Sequence, residues 1–119
     1  MPEPTPTGLT DNSAGALAYV TFVPAIVFLA MPPYNASPYV RFHSWQSIFL
    51  FIAAVVIWVV VAIISAVGVF LVPVLMGMLH LLISLALFLV WILCVIQALN
   101  GKLFKLPVIG ALAAKQAGL

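Results

Sequence analysis

Sixty consecutive residues, 42–101, contain no Asp, Glu, Lys or Arg. They are mainly Val, Ile, Leu, Phe and Ala, and the whole chain is only 5% charged, against roughly 25% in ordinary soluble proteins. An uncharged apolar run of about 20 residues is long enough to cross the core of a bilayer. Because this run could cross it twice, the sequence indicates an integral membrane protein.

Helix-breaking residues divide the chain into three predicted transmembrane helices. Gly68 and Pro73 interrupt the long apolar run, and an earlier apolar segment carries Pro24, where we expect a kink. The predicted spans are residues 13–31, 43–67 and 74–99. The fold class that follows is an all-α membrane protein, a bundle of three transmembrane helices occupying residues 13–101.

The two ends of the chain differ in character. Residues 1–12 are rich in proline and predict an extramembrane tail. Residues 102–119 place Lys102, Lys105 and Lys115 around apolar side chains, which predicts a short amphipathic segment on the membrane surface.

Charge predicts the orientation of the three spans. They would place Arg41 and the three lysines on one side of the membrane and both carboxylates, Glu3 and Asp11, on the other. Basic residues favour the cytoplasmic side. We therefore expect a multi-pass protein of the cytoplasmic membrane, with its N-terminus outside and its C-terminus in the cytoplasm.

The sequence contains no pattern typical of an enzyme. It has no Gly-rich phosphate loop, no cluster of metal ligands and no Ser/His/Asp arrangement, and Cys94 is its only cysteine. A net charge of +2 is too small to indicate nucleic-acid binding. We expect no catalytic residues, no bound metal and no soluble small-molecule substrate, and we predict no cofactor.

Polar and aromatic residues are densest in residues 40–47, at the entrance to the second predicted helix. Arg41 and Trp45 lie four residues apart, a spacing that permits a cation–π contact. The cluster fits an interfacial anchor, with Arg41 and Trp45 at the headgroup level and His43 and Gln46 satisfying carbonyl groups of the connector. A lipid-phosphate or partner-protein contact is the alternative. The residues predicted to make these contacts are Arg41, His43, Trp45 and Gln46.

His80 is an ionisable residue inside the third apolar segment, which makes it a functional candidate. A neutral imidazole hydrogen-bonded to Ser84 or to another helix is one interpretation. An axial ligand to a haem or a chlorophyll-type ring is the other.

Residues on one stripe of the second predicted helix indicate contact with other helices. Small residues favour such contacts because lipid provides no hydrophobic drive for association. The stripe consists of Ser47, Ala54, Val61, Ser65 and Gly68.

Three segments resemble a known family: GALAY at 15–19, VRFHSWQS at 40–47, and LNGK at 99–102 followed by LPVIG at 106–110. The chain resembles the small bacterial membrane proteins of the Tic-twenty-like group, related to a component of the chloroplast inner-envelope import machinery. The resemblance implies an all-helical bundle without enzymatic activity, located in a bacterial inner membrane.

Together these observations predict a non-catalytic subunit that packs within a larger membrane-protein complex in the lipid bilayer. A pigment- or haem-associated subunit of a photosynthetic or respiratory complex, using His80, is an alternative. A small pore or protein-translocation component is a further alternative, which rests on the resemblance alone.

Overall fold

The computed structural model describes residues 10–119, apart from the side chains of Val69 and Leu71. These residues form helices and connecting segments, with no β-strand among them, so the predicted helical fold is confirmed. The α-helices are α1 (Asp11–Leu17), α2 (Phe22–Ala30), α3 (Pro38–Leu71), α4 (Pro73–Leu99) and α5 (Ile109–Ala117), and a 3-10 turn covers Tyr34–Ala36.

Helices α3 and α4 form a long antiparallel hairpin. Within residues 10–119, two stretches are long and apolar enough to cross a membrane, Pro38–Gly68 and Pro73–Leu99. Each begins with proline, whose missing N–H is tolerated in a first turn. At the tip, a Cβ on Gly68 would lie 2.6 Å from the sulfur of Met76, so glycine permits the close approach of the two helices.

The first predicted span is two short helices instead of one long one. The backbone leaves the helix between α1 and α2, and the Thr21 side chain caps α2 by accepting a hydrogen bond from the Val23 N–H. Pro24 then lies in the first turn of α2, where its missing N–H does no harm, so it does not kink a continuous helix. Neither helix is long enough to span a bilayer, and the three-span bundle is not confirmed.

Helix α1 runs beside the first half of α3, away from the start of α3, and α2 returns toward that start. Near the start of α1, the Ser37 hydroxyl donates a hydrogen bond of 2.8 Å to the Asp11 carboxylate. At the far end, the Phe22 ring meets that of Phe51 edge to face, with centroids 6.1 Å apart. Residues 10–37 therefore begin and end at the same end of α3.

The core lies at the end of the molecule where α1, α2 and α5 surround α3. Alanines of α5 pack against Phe42, which is fully buried. Beyond this core, the rest of the hairpin exposes large apolar side chains, among them Phe70 at 86%. Such an apolar surface fits a lipid environment.

Candidate functional site

The first turns of α3 carry the most deeply buried polar side chains among the described residues. His43 and Gln46, predicted as the residues of an interfacial anchor that satisfy connector carbonyls, are fully buried inside the chain, together with Ser44 and Ser47. The physical reason is that α5 and the segment before it fold back over α3. These side chains therefore contact other parts of the same chain.

His43 bridges two distant segments. Its Nδ1 lies 2.7 Å from the Tyr19 hydroxyl, and its Nε2 lies 3.0 Å from the Lys102 carbonyl oxygen. A carbonyl oxygen can only accept, so Nε2 carries the proton and Nδ1 accepts from Tyr19. This arrangement assigns a neutral imidazole in a single tautomer.

Gln46 uses both ends of its amide. Its nitrogen donates to the Tyr19 hydroxyl and to the Phe104 carbonyl oxygen, at 2.8 Å each. Its oxygen accepts from the Leu106 N–H at 3.0 Å. We call Tyr19, His43 and Gln46 the buried polar node; it ties α3 to the α1–α2 connection and to the segment after α4.

Tyr19 is the member of the node that sequence reasoning missed. It lies between α1 and α2, and burial raises the pKa of its hydroxyl well above the usual range, so the hydroxyl stays a neutral donor. Only the GALAY segment, 15–19, drew attention to it. Helical periodicity could not, because its partners lie more than 20 residues away.

Hydrogen bonds around the node satisfy carbonyl groups at helix ends. The Ser47 hydroxyl donates to the Ala18 carbonyl oxygen at 2.6 Å, and the Trp91 indole donates to that of Tyr19. At the end of α4, the Tyr39 hydroxyl donates to the Ala98 carbonyl oxygen. Terminal carbonyls lack partners within their own helices, so these bonds hold the ends of α1 and α4 in place.

Arg41 and Trp45 have separate partners. The Arg41 guanidinium donates to the Gln116 carbonyl oxygen near the end of α5, at 3.1 Å. The Trp45 ring stacks on Phe49, with centroids 5.6 Å apart and an interplanar angle of 28°. Arg41 thus caps α5, a favourable place for a cation.

His80 pairs with α3 and not with Ser84 of its own helix. Its Nε2 lies 2.9 Å from the Ser65 hydroxyl, and its ring stacks on Trp58 with centroids 5.6 Å apart. The Nε2 atom of His80 therefore already has a hydrogen-bonding partner on α3.

The predicted small-residue stripe of α3 meets several elements. Ser47 contacts α1, whereas Ser65 and Gly68 contact α4. Val61 is buried, and Ala54 lines an apolar cavity of about 350 Å³ between α3 and α4, beside Trp58 and Trp91.

Within residues 10–119, no group of three or more His, Cys, Asp or Glu side chains comes together. Among the described residues, no carboxylate contacts the node, so His43 has no acidic partner there of the kind that general acid–base sites use. Its arrangement suits holding segments together.

One known protein family matches this chain over most of its length. Residues 10–113 match the magnetosome magnetite crystal formation protein family. The chain belongs to this family. It is 33% identical to a UPF0132 membrane protein of Archaeoglobus fulgidus, over 92% of this chain and 98% of that relative. A UPF0132 membrane protein of Methanocaldococcus jannaschii is 38% identical, over 89% and 87% of the two chains. No solved structure matches.

These relatives correct the resemblance drawn from short segments. The Tic-twenty-like assignment is wrong, because the match over residues 10–113 is to a different family. The expectation that the chain belongs to a group of bacterial membrane proteins is also contradicted, since these relatives are archaeal. Both relatives are named as membrane proteins, and together with the two long apolar helices this supports a membrane protein.

Proposed function

We propose that this chain is a non-catalytic membrane protein that acts by packing against a partner inside the bilayer. The proposal rests on the observation that the buried polar node makes its hydrogen bonds to other groups of the same chain. Both nitrogens of His43, and both the nitrogen and the oxygen of Gln46, have partners within the chain. A catalytic group must instead be able to reach a substrate.

The face of α4 around Gly77 is the best surface for such a partner. A Cβ on Gly77 would meet nothing within 4 Å, and Leu81, one turn later, is 60% exposed. Helices associate in lipid through close packing at small residues. Gly77 would let a partner helix approach the α4 backbone without disturbing the contacts of this chain.

Photo-crosslinking in native membranes tests this proposal. A photoreactive residue at position 81 should give a discrete protein adduct, which Gly77→Leu should abolish while the expression level stays the same. The control position is 61, because Val61 is 4% exposed and faces the interior. It should give no adduct with another protein. Lipid adducts alone at position 81 would contradict the proposal.

For orientation, we propose two spans, α3 and α4, with both ends of the chain in the cytoplasm. The hydrogen bond between Asp11 and Ser37 supports this, because it sets the start of α1 beside the start of α3. Arg41 precedes most of α3 and the lysines follow α4. A hairpin therefore keeps all four basic residues on one side, as the charge rule requires.

The family description refers to magnetite crystal formation. The described residues do not gather a set of carboxylate, imidazole or thiolate ligands, so we assign this chain no step of iron or mineral binding. Its proposed role is structural, as a component of a membrane assembly. The pore alternative rested on the Tic-twenty-like resemblance alone, and we do not propose it because that resemblance is wrong.

A further inference from the structure

All four basic side chains of the protein lie at one end of the molecule. At this end α3 begins and α4 ends. Lys102, Lys105 and Lys115 are exposed, and Arg41 is half-buried. Asp11 is the only carboxylate side chain in residues 10–119, and it accepts a hydrogen bond from Ser37. This end therefore presents a net positive surface.

Hydrogen bonds tie the backbone at or beside each of the three lysines to the start of α3, which also carries Arg41. The Lys102 carbonyl is bound by His43, and the backbone on either side of Lys105 is bound by Gln46. Arg41 binds the Gln116 carbonyl, next to Lys115. Positions 41 to 46 of a helix span only about 8 Å along its axis, so the four residues are attached to one short section of α3.

Apolar side chains are exposed between these cations. Val108 is 77% exposed and Leu112 is 49% exposed, and both lie in the sequence between Lys105 and Lys115. Helix α4 ends at Leu99, three residues before Lys102. The cations thus lie at the depth where an apolar span gives way to water, where interfacial helices combine buried apolar side chains with basic ones.

We propose that this surface binds the headgroups of anionic phospholipids in the leaflet next to the chain termini. We call Arg41, Lys102, Lys105 and Lys115 the basic rim. The lysine ammonium groups supply point charges for lipid phosphate. Within residues 10–119, one of the five N–H donors of Arg41 makes a hydrogen bond, to the Gln116 carbonyl. The exposed Val108 and Leu112 fit the acyl region just below the headgroups.

Native mass spectrometry of the full chain in mild detergent tests the proposal. With equimolar phosphatidylglycerol and phosphatidylcholine, bound phosphatidylglycerol should predominate. Each of Lys102→Gln, Lys105→Gln and Lys115→Gln should weaken its binding about fivefold, the factor expected for one basic residue near an anionic surface. These substitutions leave the backbone hydrogen bonds of the node intact, and an unchanged far-UV circular dichroism spectrum would show that the variants fold.

Gln116→Ala is the matched control, because it changes an exposed polar side chain of α5, next to Lys115, without changing the charge. It should leave lipid binding unchanged. Equal binding of the two lipids, or lysine variants that bind as the natural chain does, would overturn the proposal. So would displacement of phosphatidylglycerol by an equal concentration of ammonium phosphate, which would identify a site for free phosphate. None of these outcomes bears on the partner proposed at Gly77.

Discussion

Gln46 joins three parts of the chain through one side chain. Its amide binds the Tyr19 hydroxyl and two backbone groups of the segment that precedes α5. Backbone groups in an irregular segment need partners when they are buried, since an orphaned one costs free energy. The side chain of Gln46 therefore decides where residues 104–106 lie.

We predict that Gln46→Met will release this segment. The substitution keeps the size of the side chain but leaves the Leu106 N–H and the Phe104 carbonyl without these partners. Each unsatisfied buried group costs about 1–3 kcal/mol, so the free energy of unfolding should fall by at least that amount. Hydrogen exchange at the Leu106 amide should become faster. Gln97→Met is the control: the Gln97 side-chain oxygen has no partner among the described residues, and this change should leave Leu106 protected.

His80 allows a second test at this scale. If its hydrogen bond to Ser65 is its main interaction, His80→Leu should fold and lose about 0.6 kcal/mol, the average for hydrogen bonds inside membranes. Ser65→Ala should cost a similar amount, and the double variant should cost less than the sum of the two. Unfolding in mixed micelles measures these differences. Loss of a visible absorption band from the natively purified His80→Leu protein would instead support the tetrapyrrole hypothesis.

At the scale of helices, sequence predicted the long elements better than the short ones. Pro73 places the start of α4 within one residue of its observed bound, because proline acts locally. Helix α3, in contrast, begins five residues before the predicted span 43–67 and continues through Gly68 to Leu71. The break between α1 and α2 depends on tertiary contacts instead. The Tyr19 carbonyl is bound by Trp91 and that of Ala18 by Ser47, and these partners are invisible to helical periodicity.

The polar cluster at 40–47 illustrates the same limit. Its position, and the use of His43 and Gln46 to satisfy carbonyl groups, were evident from the sequence, but their partners were not, because these lie up to 60 residues away. A polar residue at the start of an apolar helix fits an interfacial anchor equally well. Only the folded chain distinguishes a side chain facing lipid headgroups from one facing another segment.

The contact between α1 and α3 provides a prediction about helix packing. A Cβ on Gly15 would lie 2.9 Å from the Tyr39 ring and 3.1 Å from the His43 ring. Gly15→Ala should therefore destabilise the fold by about 1–3 kcal/mol, the usual cost of overpacking. Gly77→Ala is the matched control in α4, where a Cβ would meet nothing within 4 Å. It should be neutral or stabilise by up to about 1 kcal/mol, since alanine favours helix more than glycine does. Equal destabilisation by both changes would contradict close packing at Gly15.

At the scale of the whole molecule, the structure joins two features that sequence analysis had kept apart. The basic residues gather at one end of the molecule, and the start of α1 lies at that same end. The three-span prediction used the positive charges to place the N-terminus on the opposite side. A hairpin of α3 and α4 satisfies the same charge rule and also accommodates two helices too short to cross the membrane.

Our last prediction is that both ends of the chain face the cytoplasm. Reporter fusions at the N-terminus and at the C-terminus should both report a cytoplasmic location. In a Cys94→Ala background, a cysteine replacing Val72 at the hairpin tip should react with a membrane-impermeant maleimide from outside intact cells, since Val72 is exposed. A cysteine replacing Gln116 in α5 should react only after permeabilisation. An N-terminal reporter outside, with the C-terminal reporter inside, would require residues 10–37 to cross the membrane. The contact between Asp11 and Ser37 would then have to break, because its two residues would lie on opposite sides of the bilayer.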